Sequence, residues 1–143
     1  MIIGIGTDLL DIRRIEDTLN RFGERFCRRI FTSAERARCE ASKVNRVARY
    51  AQRYAAKEAC AKALGTGFRQ GVFWRDMEVG NLPTGKPLLR LSGGASQRLA
   101  VITPPGMTAK VEISLSDEYP MAHAMVVIWG EHWERTYAGS AES

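Results

Sequence analysis

Arg53-Tyr54-Ala55-Ala56-Lys57-Glu58-Ala59-Cys60-Ala61-Lys62-Ala63-Leu64-Gly65-Thr66-Gly67 decides how this chain folds. It ends a run rich in alanine, the best helix former, and predicts one long helix over Arg46–Leu64 with Gly65 as its stop. Val47, Ala51, Ala55 and Ala59 form the apolar stripe, with Tyr50 and Tyr54 alongside. Small side chains on that stripe let a neighbouring element pack closely. Tyr54, Glu58 and Lys62 recur at i, i+4 and i+8 and make one column; Arg53 and Lys57 make a second beside it. As part of a solvent-facing helix the Glu58–Lys62 pair is worth only roughly 0.3 kcal/mol. Gly65-Thr66-Gly67 adds another meaning. Glycines let backbone approach a ligand and can offer concave amide groups to an anion, and Lys62 brings a point charge to the same phosphate.

Upstream, Met1-Ile2-Ile3-Gly4-Ile5-Gly6-Thr7-Asp8 predicts a buried strand over residues 2–7, with Asp8 placed where the strand leaves the core. Ile12, Ile15 and Leu19 put a helix over residues 12–21, Gly23 interrupts it, and a short helix follows through Phe26 and Ile30. Thr32 and Glu35 fit a capping box, so a helix begins near Ser33, and residues 40–45 are a connection.

Downstream, a short strand is expected over residues 77–79 and another over residues 88–91, joined by the turn Pro83-Thr84-Gly85-Lys86-Pro87. A helix over residues 93–101 and the loop Thr103-Pro104-Pro105-Gly106 follow. Val111, Ile113 and Leu115 alternate with Glu112, Ser114 and Ser116 as a half-buried strand, and residues 124–129 form a last apolar strand. This order argues an α+β fold, a mixed antiparallel sheet packed against a long helix. The expected division is one domain over residues 1–130 and a polar tail over residues 131–143.

The 143 residues are enough for one core, and 45% hydrophobic with 26% charged residues is ordinary for a globular protein. No apolar run is long enough for a membrane helix, and no basic region precedes the first strand as a secretory signal would require. The cytoplasm is the expected compartment. Cys27, Cys39 and Cys60 are too few and scattered for a disulfide framework, and His123 and His132 form no metal pattern. The net charge of +5 favours an acidic partner: nucleic acid, an anionic membrane surface or an acidic protein. Arg13, Arg14, Arg21, Arg25, Arg28 and Arg29 crowd one segment, which as a plain structural feature is a solvated helix face. A small basic nucleic-acid-binding protein is the alternative class. It lacks a groove-reading motif, and its aromatics do not interleave with the arginines.

Asp8 and Glu58 carry the chemistry. Two carboxylates beside phosphate-binding groups suggest a magnesium site, because Mg2+ takes one or two carboxylates and fills its octahedron with phosphate oxygens and water. Spacing alone does not bring them together. The chain has no Walker loop, and Gly4-Ile5-Gly6 lacks the third glycine of a dinucleotide fingerprint, so these glycines serve close packing or unusual backbone angles.

Ile3-Gly4-Ile5-Gly6-Thr7-Asp8 with Arg14-Ile15 resembles the opening signature of the holo-acyl-carrier-protein synthases. Residues 53–67 resemble their second signature, and residues 81–87, with Gly85-Lys86-Pro87, a third. The family transfers 4'-phosphopantetheine from coenzyme A to a serine of apo acyl carrier protein, leaving adenosine 3',5'-bisphosphate. The resemblance implies Asp8 and Glu58 as Mg2+ ligands. It implies Lys62, Gly65, Thr66, Gly67 and Arg53 as contacts to the coenzyme phosphates, and Gly85, Lys86 and Pro87 on the nucleotide side. Arg14 and Arg21 would face the acidic carrier protein, nucleic acid and membrane would not be partners, and a homotrimer would form active sites between subunits. Where the family often has a histidine in S-[IL]-[ST]-H, this chain reads Ser114-Leu115-Ser116-Asp117. The expected catalytic set is therefore Glu58, Lys62 and Asp117, with a water relay or Asp117 taking the serine proton. A scaffold that has lost activity through Asp117 is a third possibility, opposed by the intact Asp8, Glu58 and Lys62.

Overall fold

Strand β1 (Ile2–Asp11) runs into helix α1 (Ile12–Phe22) without a loop. Asp11 makes this possible: it ends the strand and its carboxylate accepts the Arg13 N–H, capping the helix. Helices α2 (Glu24–Ile30), α3 (Ser33–Glu40) and α4 (Arg46–Leu64) follow. The expected capping box starts α3, with Thr32 and Glu35 bonded reciprocally. After a short 3₁₀ turn at Trp74–Asp76 come strands β2 (Met77–Asn81) and β3 (Pro87–Leu91), helix α5 (Gly93–Ile102), and the long strands β4 (Met107–Glu118) and β5 (Met121–His132). The computed structural model describes residues 1–133, so most of the tail expected over residues 131–143 lies outside the described residues, while β5 itself takes in Glu131 and His132.

The sheets are antiparallel, a three-stranded one in the order β1-β5-β4 and the β2-β3 hairpin. The α+β expectation holds, with the long helix lying on the larger sheet. Gly4, Gly6, Asp8 and Leu10 of β1 share one face with Ile128, Val126, Ala124 and Ala122 of β5, their direct cross-strand partners. That face packs on α4, whose Ala55, Ala56, Ala59 and Ala63 are buried.

Two glycines set how close the strand comes to the helix. A Cβ on Gly6 would stand 1.8 Å from the Ala59 carbonyl oxygen, and one on Gly4 would stand 2.2 Å from that of Ala63. The backbones of β1 and α4 therefore touch directly, and no residue with a side chain fits at either place. β1 also runs further than residues 2–7, because pairing with β5 carries the polar Thr7 and Asp8 inside the strand.

Lys57 departs from its expected place in a surface column. Its side chain and that of Glu35 are fully buried, 2.7 Å apart, and the ammonium also donates to the carbonyls of Trp74, at 3.0 Å, and Met77. Glu35 accepts from the backbone N–H groups of Thr32 at 2.9 Å and Val79 at 3.0 Å. Burial pushes the Lys57 pKa down, and the Glu35 charge opposes that shift. The reason is tertiary: the chain after α4 folds back over this helix face and turns a polar column into a strut joining α3, α4, the 3₁₀ turn and β2. The three cysteines are buried, and burial holds the Cys39 and Cys60 thiols up at about 12, which leaves them unreactive at neutral pH.

Candidate active site

The close approach of β1 and α4 has a chemical consequence. Asp8 is the next residue after Gly4 and Gly6 on the helix-facing side of β1, so it is pressed towards the column Tyr54, Glu58, Lys62. Lys62 Nζ donates to the Thr7 carbonyl at 2.9 Å and to Asp8 Oδ1 at 3.2 Å, which fixes the pairing. Glu58 is half-buried one turn earlier on α4. Its pKa is raised, first by burial and then by the Asp8 charge, with Lys62 partly offsetting both. Asp8 thus sits within β1, opposite Ala124, rather than where the strand leaves the core.

Glu58 has no hydrogen bond or ion pair from any of the described residues. A desolvated carboxylate facing a second one, with no donor of its own, is deficient in positive charge. Hard oxygen donors in that state suit a divalent cation such as Mg2+. Among the described residues no group of three or more His, Cys, Asp or Glu side chains gathers as a metal site.

Tyr54 borders the pair. Burial raises its pKa, the charges of Glu58 and Asp8 add to that, and Arg14 opposes it. Its ring stacks on Trp74 at 4.9 Å, and Trp74 stacks on Phe68 at 3.7 Å. This aromatic wall had only a weak signal in the sequence, because Phe68 and Trp74 lie in a segment with no periodicity. Arg14 and Arg21 are both exposed on α1, opposite its buried Ile12, Ile15 and Leu19. Arg21 lies over the Phe22 ring at 5.4 Å. Arg14 on this basic face is near enough for its charge to act on Tyr54.

Gly65, Thr66 and Gly67 form the C-terminal cap of α4. Gly65 is left-handed, with φ 81°, and its N–H bonds the Lys62 carbonyl at 3.1 Å. The Gly67 N–H bonds the Ala61 carbonyl at 3.2 Å, and Thr66 Oγ1 donates to the Gly67 carbonyl at 2.9 Å. The expected amide cradle is narrowed accordingly, because two of its amides already satisfy the helix. Arg98 of α5 joins this cap, donating from Nε to the Leu64 carbonyl at 2.9 Å. No motif surrounds Arg98, so local spacing carried no signal for its place at this cap.

Arg53 lies on the neighbouring column of α4, about 18 Å from Gly65 along the helix axis. It is buried and donates to the Arg49 carbonyl and, at 3.2 Å, to Asn81 Oδ1. Asn81 in turn donates to the Gly85 carbonyl at 3.0 Å, so Arg53 and the Gly85-Lys86-Pro87 turn are linked through one side chain. Arg53 Nε is buried without a partner. A cavity of about 220 Å³ opens beside it, lined by Arg38, Arg53, Glu78 and Asn81 among others. Lys86 is exposed and pairs with Glu112 at 3.5 Å, and Pro87 begins β3 opposite Asn81.

Asp117 stands apart from the carboxylate pair within one chain. It lies in the row Leu10–Ala122–Asp117, while Asp8 lies in the row Asp8–Ala124–Leu115. Two strand spacings, about 10 Å, separate β4 from β1. Its Oδ1 accepts from Gln52 Nε2 at 2.6 Å.

Residues 4–123 match the family described as the 4'-phosphopantetheinyl transferase superfamily. The chain is 63% identical over 128 residues to a holo-acyl-carrier-protein synthase of Beijerinckia indica, covering 90% of this chain and 91% of that protein. It is 57% identical to one of Rhodopseudomonas palustris, over the full length of both. Among solved structures it is similar to a holo-acyl-carrier-protein synthase from Neisseria meningitidis, with a TM-score of 0.79 and 37% identity, covering 90% of this chain and 99% of that one. It is also similar to one from Helicobacter pylori in complex with coenzyme A, with a TM-score of 0.72 and 29% identity over 87% of this chain and 99% of that one.

Proposed function

This chain belongs to the 4'-phosphopantetheinyl transferase superfamily, and on that premise we propose that it moves 4'-phosphopantetheine from coenzyme A to a serine of apo acyl carrier protein. The carrying observation is the juxtaposition of Asp8 and Glu58 beside Lys62. The serine oxygen forms a bond to phosphorus, the pyrophosphate P–O bond breaks, the serine proton leaves, and adenosine 3',5'-bisphosphate departs.

Asp8 and Glu58 are the residues that would hold Mg2+, whose charge would neutralise the pyrophosphate. Lys62 already spans the strand and the helix at this point, and its ammonium favours negative charge on the leaving phosphate. Asp8 keeps Lys62 in place. Glu58 in an ionised, cation-holding state is a poor direct base, which favours passing the serine proton through water.

Asp117 serves as the proton acceptor only if a neighbouring copy brings it to the pair, since its own chain holds it two strands away. That requirement supports the homotrimer with sites between subunits. So does the far face of β1, where Ile5 and Leu9 are 56% and 65% exposed. In this scheme Arg53, Gly85, Lys86 and Pro87 hold the nucleotide side of the coenzyme, and Lys62 with the Gly65, Thr66 and Gly67 turn holds phosphate. Arg14 and Arg21 receive the acidic carrier protein next to Tyr54. We place the enzyme in the cytoplasm and in fatty acid biosynthesis. No helix of the described residues is long and apolar enough to cross a membrane.

The test is incubation of the pure protein with coenzyme A, Mg2+ and apo acyl carrier protein, followed by mass spectrometry of the carrier. A phosphopantetheine adduct on serine that needs both the metal and coenzyme A is expected. An unmodified carrier would reject the proposal.

A further inference from the structure

Asp117 has a backbone that is fixed more firmly than its side chain. β4 pairs it with Ala122, and the turn beyond is tied to α1 by the Ile12 N–H, which donates to the Pro120 carbonyl at 2.7 Å. The side chain is exposed near the end of that strand. An exposed carboxylate exchanges among rotamers unless a partner holds it. A group that takes a proton across a boundary between copies needs such a partner, because a misplacement of about 1 Å costs about 10²-fold.

Helix α4 supplies the partner. Gln52 is half-buried between the buried Ala51 and Arg53, and its Nε2 donates to Asp117 Oδ1 at 2.6 Å across 65 positions of the chain. Chemistry settles the orientation of the amide: an ionised carboxylate only accepts, so the NH2 end faces it. Among the described residues no hydrogen bond reaches Oδ2. One oxygen is anchored and the other is left open. Gln52 lies about 9 Å before Glu58 along α4, so it acts on Asp117 and not on the Asp8–Glu58 pair of its own chain.

We propose that Gln52 is a positioning residue for the transfer, its amide holding Asp117 so that Oδ2 accepts the serine proton in the site of a neighbouring copy. The inference rests on the role given to Asp117 above. As the serine oxygen bonds to phosphorus and the pyrophosphate P–O bond breaks, the serine proton passes, directly or through water, to Oδ2. The leaving phosphate keeps the electron pair of the broken bond. Gln52 keeps its own protons throughout, and the neutral Asp117 carboxyl then returns its proton to water.

The experiment measures single-turnover modification of apo acyl carrier protein at saturating coenzyme A and Mg2+. It compares the wild type, Gln52→Met, Asp117→Asn and the double variant. Methionine matches glutamine in length and donates no hydrogen bond. Asp117→Asn is expected to slow the step about 10²-fold, the value of a general base. Gln52→Met is expected to slow it about tenfold, with the KM for coenzyme A within about twofold of wild type. In the Asp117→Asn background the same substitution should change the rate by less than about twofold, because the two residues act as one unit. Equal losses in both backgrounds would overturn the inference, since a contact that only braces α4 against β4 does not depend on a base at position 117. A Gln52→Met protein of wild-type rate beside a slow Asp117→Asn protein would also overturn it, and would leave the role of Asp117 standing. A wild-type rate in Asp117→Asn would instead remove Asp117 as acceptor, and Gln52 with it. If methionine disturbs the fold, Gln52→Glu keeps the length and replaces the donor with an acceptor. Its rate should fall at least as far as that expected for Gln52→Met, and an undiminished rate there overturns the inference.

Discussion

Two carboxylates beside neighbouring positions of α4 have opposite fates. Glu35 is fully buried and receives hydrogen bonds from the Thr32 and Val79 N–H groups and the Lys57 ammonium. Glu58 follows Lys57 directly in sequence, is half-buried, faces the charge of Asp8, and receives no hydrogen bond from any described residue. Buried polar groups are normally satisfied, because an unmet one costs about 1–3 kcal/mol, and the three donors to Glu35 make it part of the frame. Glu58 is partly open to water and carries a raised pKa beside a second carboxylate, the kind of perturbed group that functional sites collect.

The sharpest break of this contrast is removal of either carboxylate of the Asp8–Glu58 site. Glu58→Ala or Asp8→Ala is expected to lower transfer by about 10²- to 10³-fold or more, on the scale of losing one main electrostatic group. For Glu58→Ala the thermal midpoint without metal should stay level or rise, since burial and the Asp8 charge both disfavour its ionised form. A turnover assay beside a melting curve decides it, and an active variant would remove the residue from the site.

The satisfied pair should respond in the reverse sense. Glu35→Ala leaves a buried ammonium without its partner and is expected to cost about 3–5 kcal/mol in a denaturant titration. Glu35→Leu combined with Lys57→Met, which removes both charges, should recover much of that stability. A double variant as unstable as the single one would show that the strut acts through more than its paired charges.

The smallest effect sharpens the comparison through pH. The folded pKa of Glu58 lies above its unfolded value. Its contribution to stability is therefore full below the unfolded carboxylate pKa, about 4.3, and is lost as pH rises through the higher folded value. Without metal, Glu58→Gln should raise the melting midpoint by a few degrees at pH 7–8 and leave it nearly unchanged at pH 4. Mg2+ should stabilise the wild type at pH 7–8 and have little effect on the variant. A midpoint gain of the same size at pH 4 would disconnect the shift from Glu58 ionisation.

Much of this was legible along the chain because its signals are local. The α3 capping box, the Gly65 stop, the alanine stripe of α4 and the alternation in β4 each depend on residues within a few positions of one another. Asp8 and Glu58 were legible as candidates, while their nearness was not, although the glycines at positions 4 and 6 carried the clue that a backbone comes close. Lys57 was misplaced on a surface column because helix periodicity reports which residues share a face, and says nothing of what later returns to cover it.

The sequence by itself determined the helices, the strands, the two acids and their cationic neighbours, since hydrogen-bonding propensity and side-chain spacing act over one or two turns. Only the tertiary structure decided that Lys57 is buried and that Glu58 faces the charge of Asp8. It alone set Arg98 at the α4 cap and held Asp117 two strands from Asp8. These outcomes depend on contacts between distant segments, where desolvation and the choice of partner, rather than local spacing, fix what a charged side chain can do.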